Sequence, residues 1–145
     1  MTITRGEVES LMLSACPSFT DNADRHEWHK DWDSDPDHEP PLFLLVADFI
    51  RHIARLNAEG NRDEFDAVFA VIDDLLRYGD DYVKDLATVG FLEDLQHTNL
   101  HPEGSRPEDF IPYLRPLSRW WWEEVQLFWE GNAIPIGSSG RPRPE

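Results

Sequence analysis

Between Leu42 and Leu56 the apolar residues Leu42, Leu45, Val46, Phe49, Ile50, Ile53 and Leu56 recur three and four positions apart, a spacing that an α-helix gathers into one continuous face. The run is too long for a strand and has no alternation of period two. Phe65, Val68, Phe69, Ile72, Leu75 and Leu76 repeat the spacing, and Gly60 and Gly79 stand where each helix would stop. Pro41, with its fixed φ, suits the first turn of the earlier helix. These two helices are expected to form the antiparallel centre of an all-α fold.

The remaining regular segments are helical as well. Val8, Leu11, Met12 and Ala15 define a short first helix, with Thr4 and Glu7 in capping-box spacing and Pro17 as its end. Asp80 or Asp81 is expected to cap a fourth helix in which Val83, Leu86, Val89 or Gly90, and then Leu92 or Leu95 face inward. Ser105 and Glu108 flank Pro107 in another capping arrangement, and Pro112 and Pro116 interrupt the helix that would start there. A break near Arg115 and a last helix to Glu130 are therefore expected. Three consecutive helical residues spread over about 200°, so Trp120, Trp121 and Trp122 cannot all face one core. Trp121, Val125, Phe128 and Trp129 are expected on the inward face, with Trp120 and Trp122 beside it. Arg115 and Arg119 are placed to pair with nearby acids or stack on an indole. The expected architecture is a single-domain bundle of about five to six helices over residues 1–131, with a long acidic loop between the first and second helices. Residues 132–145, rich in Gly, Ser and Pro, are expected to form a flexible tail.

Charge restricts the partners. The chain has 29 Asp and Glu against 13 Lys and Arg, a formal net charge of -16. Such a surface repels phosphate backbones and anionic lipid and attracts a basic protein, so the expectation is no direct nucleic acid, no membrane, and a basic protein partner. With 12% aromatic residues and six tryptophans, the chain is too apolar for a solvated acidic tail and must bury a core. No stretch reaches the ~18 apolar residues of a membrane span, and MTITRGEVES has neither a basic stretch nor a long apolar run; a cytoplasmic location is expected. Cys16 is the single cysteine, which excludes an internal disulfide, and its flanks Ala15 and Pro17 bring no activating group; it reads as a buried structural thiol.

The densest chemistry lies between Asp24 and Glu39, where His26, His29 and His38 stand among seven carboxylates. His26 and His29 at i, i+3 could share a divalent ion with acidic neighbours, but Lys30 occupies the position of the second histidine of an HExxH pair. Asp31, Asp33 and Asp35 imitate the start of a calcium loop, in which Pro36 replaces the required glycine. Trp28 and Trp32 lie at i, i+4, and a ring of acid around an exposed indole suits protein recognition. The partner-binding residues are therefore taken as Trp28, Asp31, Trp32, Asp33, Asp35, Asp37 and Glu39. GxGxxG, phosphate-loop and GxSxG motifs are absent, and the pairs Glu93 and Asp94, or Glu123 and Glu124, are expected to point mostly into water. His97 and His101 read as polar linker residues as readily as acid–base groups. No catalytic residue, metal ligand or cofactor is assigned.

Three segments over residues 40–130 carry a resemblance: PPLFLLVADFIRHI, DDLLRYGDDYVKDLATVGFLEDL and YLRPLSRWWWEEVQLFW. In this order they resemble a family of small, acidic, all-helical bacterial proteins of unassigned function, which are similar to immunity proteins encoded beside polymorphic toxins. Where that family reads Gly-Pro-x-Ser before the tryptophan helix, Arg115 stands ahead of Pro116 and Ser118. The resemblance implies no cofactor and no catalytic residue. It implies an immunity protein that binds and occludes a basic toxin domain, a nuclease by preference; a metal-binding protein or enzyme using His26 and His29, or a helical adaptor, are the alternatives.

Overall fold

The computed structural model describes residues 2–22, 42–131 and 135–144. They form a single all-α domain, without a strand among the described residues. Helix α1 is Arg5–Ala15, followed by a 3-10 turn, Pro17–Asp21; α2 is Leu42–Ala58 and α3 is Phe65–Tyr78. Helix α4 starts as Asp81–Asp85, continues as a π-helix over Leu86–Leu92 and ends in an α-turn, Glu93–Gln96. Two further 3-10 segments, Thr98–Leu100 and Pro107–Tyr113, lead to α5, Pro116–Trp129. The segment expected to form the acidic loop, 23–41, lies outside the described residues.

The expected stripes are the buried ones. Leu42, Leu45, Val46, Phe49, Ile50 and Ile53 of α2 are buried together with Phe65, Val68, Phe69, Ile72, Leu75 and Leu76 of α3. Val8, Met12 and Ala15 bury the inner face of α1, where the Glu7 carboxylate accepts from the Thr4 backbone N–H at 3.1 Å. The centre, however, is not an α2–α3 pair. The π segment of α4 is the hub: it packs on α2, α3 and α5, while α3 also packs on α1 and α5. Widening the helix from Leu86 onward brings Leu86, Ala87, Gly90, Phe91 and Leu92 into the core together. A change from i−4 to i−5 bonding skips a carbonyl, and the Thr88 hydroxyl donates to the carbonyls of Lys84 and Asp85 at 3.1 and 3.2 Å, at the start of this segment. The expected choice between Val89 and Gly90 falls to Gly90, which lies against Phe43 and Val46 of α2, with Val89 exposed.

Glycine closes α2 and α3 for different reasons. Gly60 takes φ +79°, the left-handed stop expected after α2. Gly79 has φ -68° and is required by space: a Cβ there would strike the Leu75 carbonyl oxygen and the Val83 side chain. Its backbone lies beside Ile3, whose N–H donates to the Tyr78 carbonyl at 2.8 Å and whose carbonyl accepts from the Asp80 N–H at 2.9 Å. The next helix is capped by Asp80, whose carboxylate accepts from the Val83 N–H at 2.9 Å.

The structure corrects the readings of the later chain. The segment at Pro107 starts with Arg106, whose backbone N–H donates to Asp109 at 3.0 Å, and is a 3-10 helix in which Pro112 is accommodated. Ser105 is buried elsewhere: its hydroxyl meets Asn57 Nδ2 at 2.9 Å and His101 Nδ1 at 2.8 Å. On α5 the buried face is Leu117, Ser118, Trp120, Trp122, Glu124 and Val125; Trp121 is the partly exposed indole, and Phe128 and Trp129 stand in solvent. The reason is the Ser118 hydroxyl, which donates to the buried Asp73 carboxylate of α3 at 3.0 Å and fixes the rotation of α5. Residues 135–144 lie back along α5.

Candidate functional site

The seven residues selected as partner-binding, Trp28, Asp31, Trp32, Asp33, Asp35, Asp37 and Glu39, lie outside the described residues, as do His26 and His29. The surfaces bordering that segment are described. Next to Asn22 the His52 imidazole, buried on α2, meets Ser18 Oγ at 2.8 Å through Nε2 and the Asn22 amide at 3.4 Å through Nδ1. Cys16 Sγ lies 3.5 Å from the same hydroxyl. The arrangement has the outline of a hydroxyl–imidazole–amide relay, beside a cavity of about 370 Å³. Its electrostatics suit a clamp. Burial, aided by the Arg55 charge, holds His52 below its ordinary pKa, and burial pushes the Cys16 thiol up to about 11. The Ser18 backbone N–H, which would have to face a developing oxyanion, donates to the Glu64 carboxylate at 3.2 Å, and that negative charge opposes one. The cluster fastens the 3-10 turn to α2.

A second site is built on α5. Glu124 projects inward from the helix and its side chain is 1% exposed, contrary to the expectation that the Glu123–Glu124 pair points into water. Its partners come from the C-terminal segment. The Ser139 hydroxyl donates to Oε2 at 2.6 Å, the Ser139 backbone N–H to Oε1 at 3.3 Å, and Arg141 Nε to Oε2 at 2.8 Å. The same guanidinium reaches Glu123 at 3.3 Å and the Trp120 carbonyl at 3.0 Å. Burial alone would raise the Glu124 pKa; the hydrogen bonds from Ser139 and Arg141 more than offset it and hold the carboxyl below its ordinary range. Arg143 continues the contact, its guanidinium 5.0 Å from the ring centroids of both Trp120 and Trp121, which meet edge to face.

Trp120 is buried yet lies outside the main apolar cluster, which includes Trp122. Arg141 and Arg143 both stand over its ring. Gly137 makes the close approach possible: it has φ +91°, and a Cβ there would lie 2.7 Å from the Trp121 ring. Beside this contact is an open cleft of about 460 Å³, lined by Asp81, Lys84, Asp85, Trp121, Ile136 and Arg143 among others. Arg141 and Arg143 thus take the pairing and stacking roles foreseen for Arg115 and Arg119. Sequence reasoning missed them because the segment has no period; the signal was the pair of arginines two positions apart in so acidic a chain.

At the far end of α5 the exposed rings of Phe128 and Trp129 meet edge to face, and Trp129 also meets His97, which lies 3.7 Å from Glu93. Asp94, the neighbour of Glu93, is partly buried, and that burial raises its pKa to about 6. His101 is held between the Leu95 carbonyl and Ser105 at 2.7 and 2.8 Å, which makes it part of the scaffold. Among the described residues no cluster of His, Cys, Asp or Glu has the arrangement of a metal site, and no helix is long and apolar enough to cross a membrane.

No curated protein and no solved structure matches the chain. A family model described as "Domain of unknown function (DUF7674)" matches residues 9–130, so it takes in α5 with Glu123, Glu124 and Trp120 and ends before Arg141 and Arg143. On that match over most of its length, the chain belongs to the DUF7674 family.

Proposed function

We propose that this domain is a binding protein for a basic protein partner, acting as an immunity protein that occludes a cationic toxin domain. A nuclease is the partner class that best accounts for the charge, since its substrate groove must be basic. The observation that carries the reading is the outer surface: within a net charge of -16, the exposed Phe128 and Trp129 stand at the end of α5, just before Glu130, which suits an aromatic anchor on an acidic surface. The acidic segment with Trp28, Asp31, Trp32, Asp33, Asp35, Asp37 and Glu39 supplies the densest charge for steering, and the described helices add carboxylates such as Asp66, Asp74, Asp81 and Asp85. The protein works by covering a groove, in cells that must survive the toxin, and needs no cofactor to do so. Coexpression with the toxin encoded beside this gene tests it: cells should survive, and the two proteins should copurify at low salt. Cell death despite soluble expression of this chain would overturn the reading.

A further inference from the structure

We infer that the α5 face formed by Trp120, Trp121, Glu123 and Glu124 is a docking site for an extended, arginine-bearing segment of the partner, and that the chain's own Arg141–Arg143 segment is its resident competitor. The inference rests on the reading that the partner is basic, and it names what that partner must present. Three observations support it.

First, the site already holds guanidinium groups in the two ways proteins use to recognise arginine. Glu124 receives Arg141 Nε at 2.8 Å while the same guanidinium reaches Glu123 and the Trp120 carbonyl, and Arg143 lies 5.0 Å from two indole rings. Prolines 142 and 144 alternate with the arginines, which limits the segment to an extended form with little entropy to lose. Second, the site is made for a cover it does not itself contain. Glu124 is buried by groups from outside the helix, and Trp120 is buried apart from the main core. Third, the family match contains the α5 face and stops at residue 130, so the arginine segment lies outside the matched region.

A segment tethered this closely competes at an effective concentration on the order of millimolar. It blocks weak arginine-bearing ligands and yields to a partner that adds contacts with the neighbouring cleft, where Asp81 and Asp85 stand beside Lys84 and Arg143. The resident segment thereby raises the threshold for binding and keeps the buried carboxylate paired until a partner arrives.

The test uses the full chain and a fluorescein-labelled peptide of its own residues 137–145, GSSGRPRPE, followed by fluorescence polarisation at low salt. In a chain carrying Arg141→Ala and Arg143→Ala the site is vacated, and the peptide should bind about tenfold or more tighter than to the unchanged chain. A peptide with both arginines replaced by alanine should not bind, and adding Glu124→Gln to the chain should abolish the gain. Gly137→Ala gives a second route, because its Cβ would meet the Trp121 ring and lift the segment while leaving both arginines in place. It should show the same gain, with circular dichroism confirming that each variant is folded. Equal peptide binding by the unchanged chain and by either folded variant overturns the inference. The outcome is separable from the toxin experiment. If the peptide result is negative while the partner still copurifies, this site falls and the function stands; the reverse result removes the toxin and keeps an arginine-binding site.

Discussion

The amide of Asn57, buried near the end of α2, donates to the Ser105 hydroxyl at 2.9 Å across 48 positions of sequence. The same Nδ2 donates to Asp109 at 3.0 Å, and the Asn57 carbonyl oxygen accepts from Arg62 Nε at 2.9 Å. One side chain thus ties the end of α2 to the connection on either side of Arg106. Replacing it by alanine leaves several polar groups short of a partner and should cost about 2 kcal/mol in denaturant unfolding. Asn57 is also the main cause of the low Asp109 pKa, ahead of the Arg106 backbone N–H. A depressed carboxyl stabilises the fold above its ordinary value of 3.8 and loses that contribution as pH falls through the folded value. The gap between Asn57→Ala and the unchanged protein should therefore narrow in acid; a gap that is constant with pH would separate Asn57 from Asp109.

Two glycines should respond in opposite directions to the same substitution. Gly79→Ala forces a Cβ onto the Leu75 carbonyl and Val83, beside the backbone pair with Ile3, and should destabilise by about 2 kcal/mol or more. Gly90→Ala places a Cβ at 3.4–3.5 Å from Leu86, Phe43 and Val46, ordinary packing distance, and removes a flexible residue from a helix interior. It should stabilise by up to ~1 kcal/mol. Urea midpoints of the two variants check both signs.

Asp94 should make the protein less stable at neutral pH than its packing warrants. Burial raises its pKa to about 6, against an opposing pull from His97, so the folded state favours the protonated form. Stability then declines as pH rises from the ordinary value of 3.8 to about 6, and the deficit persists above that. Asp94→Asn should raise the unfolding free energy at pH 7.5 by ~1–2 kcal/mol and leave it nearly unchanged at pH 3.5. Equal gains at both pH values would assign the effect to something other than the buried charge.

Partner association should depend on salt and on the two indoles within the acidic segment. Trp28→Ala and Trp32→Ala should each weaken binding to the cognate toxin about tenfold or more while leaving the melting temperature unmoved. Raising salt from 50 to 500 mM should slow association more than it speeds dissociation, because exposed charges act on encounter. Surface plasmon resonance separates the two rates.

The helices were legible because their signal is local. The stripes of α2 and α3, the Asp80 cap and the break before Pro116 follow from spacing and backbone chemistry within a few residues. The illegible features depend on partners distant in sequence. The rotation of α5 is fixed by Ser118 on Asp73, 45 positions away, and this turned Trp122 into the core and Trp121 toward the rim. Gly79 is a matter of space between two helices and a terminal segment, although it looks in the sequence like an ordinary helix stop. The site on α5 was half visible: the aromatic and acidic residues stood out, while the segment that covers them has no periodicity to announce that it packs.

The π segment divides α4 into two phases. In an unbroken α-helix each residue advances by about 100°, so one residue more or fewer swings everything beyond it to another face. By absorbing an extra residue between Leu86 and Leu92, α4 lets Val83 before it and Leu95 after it both face inward. Removing one residue from that stretch should therefore return it to plain α-helical register and leave the buried faces on either side in place.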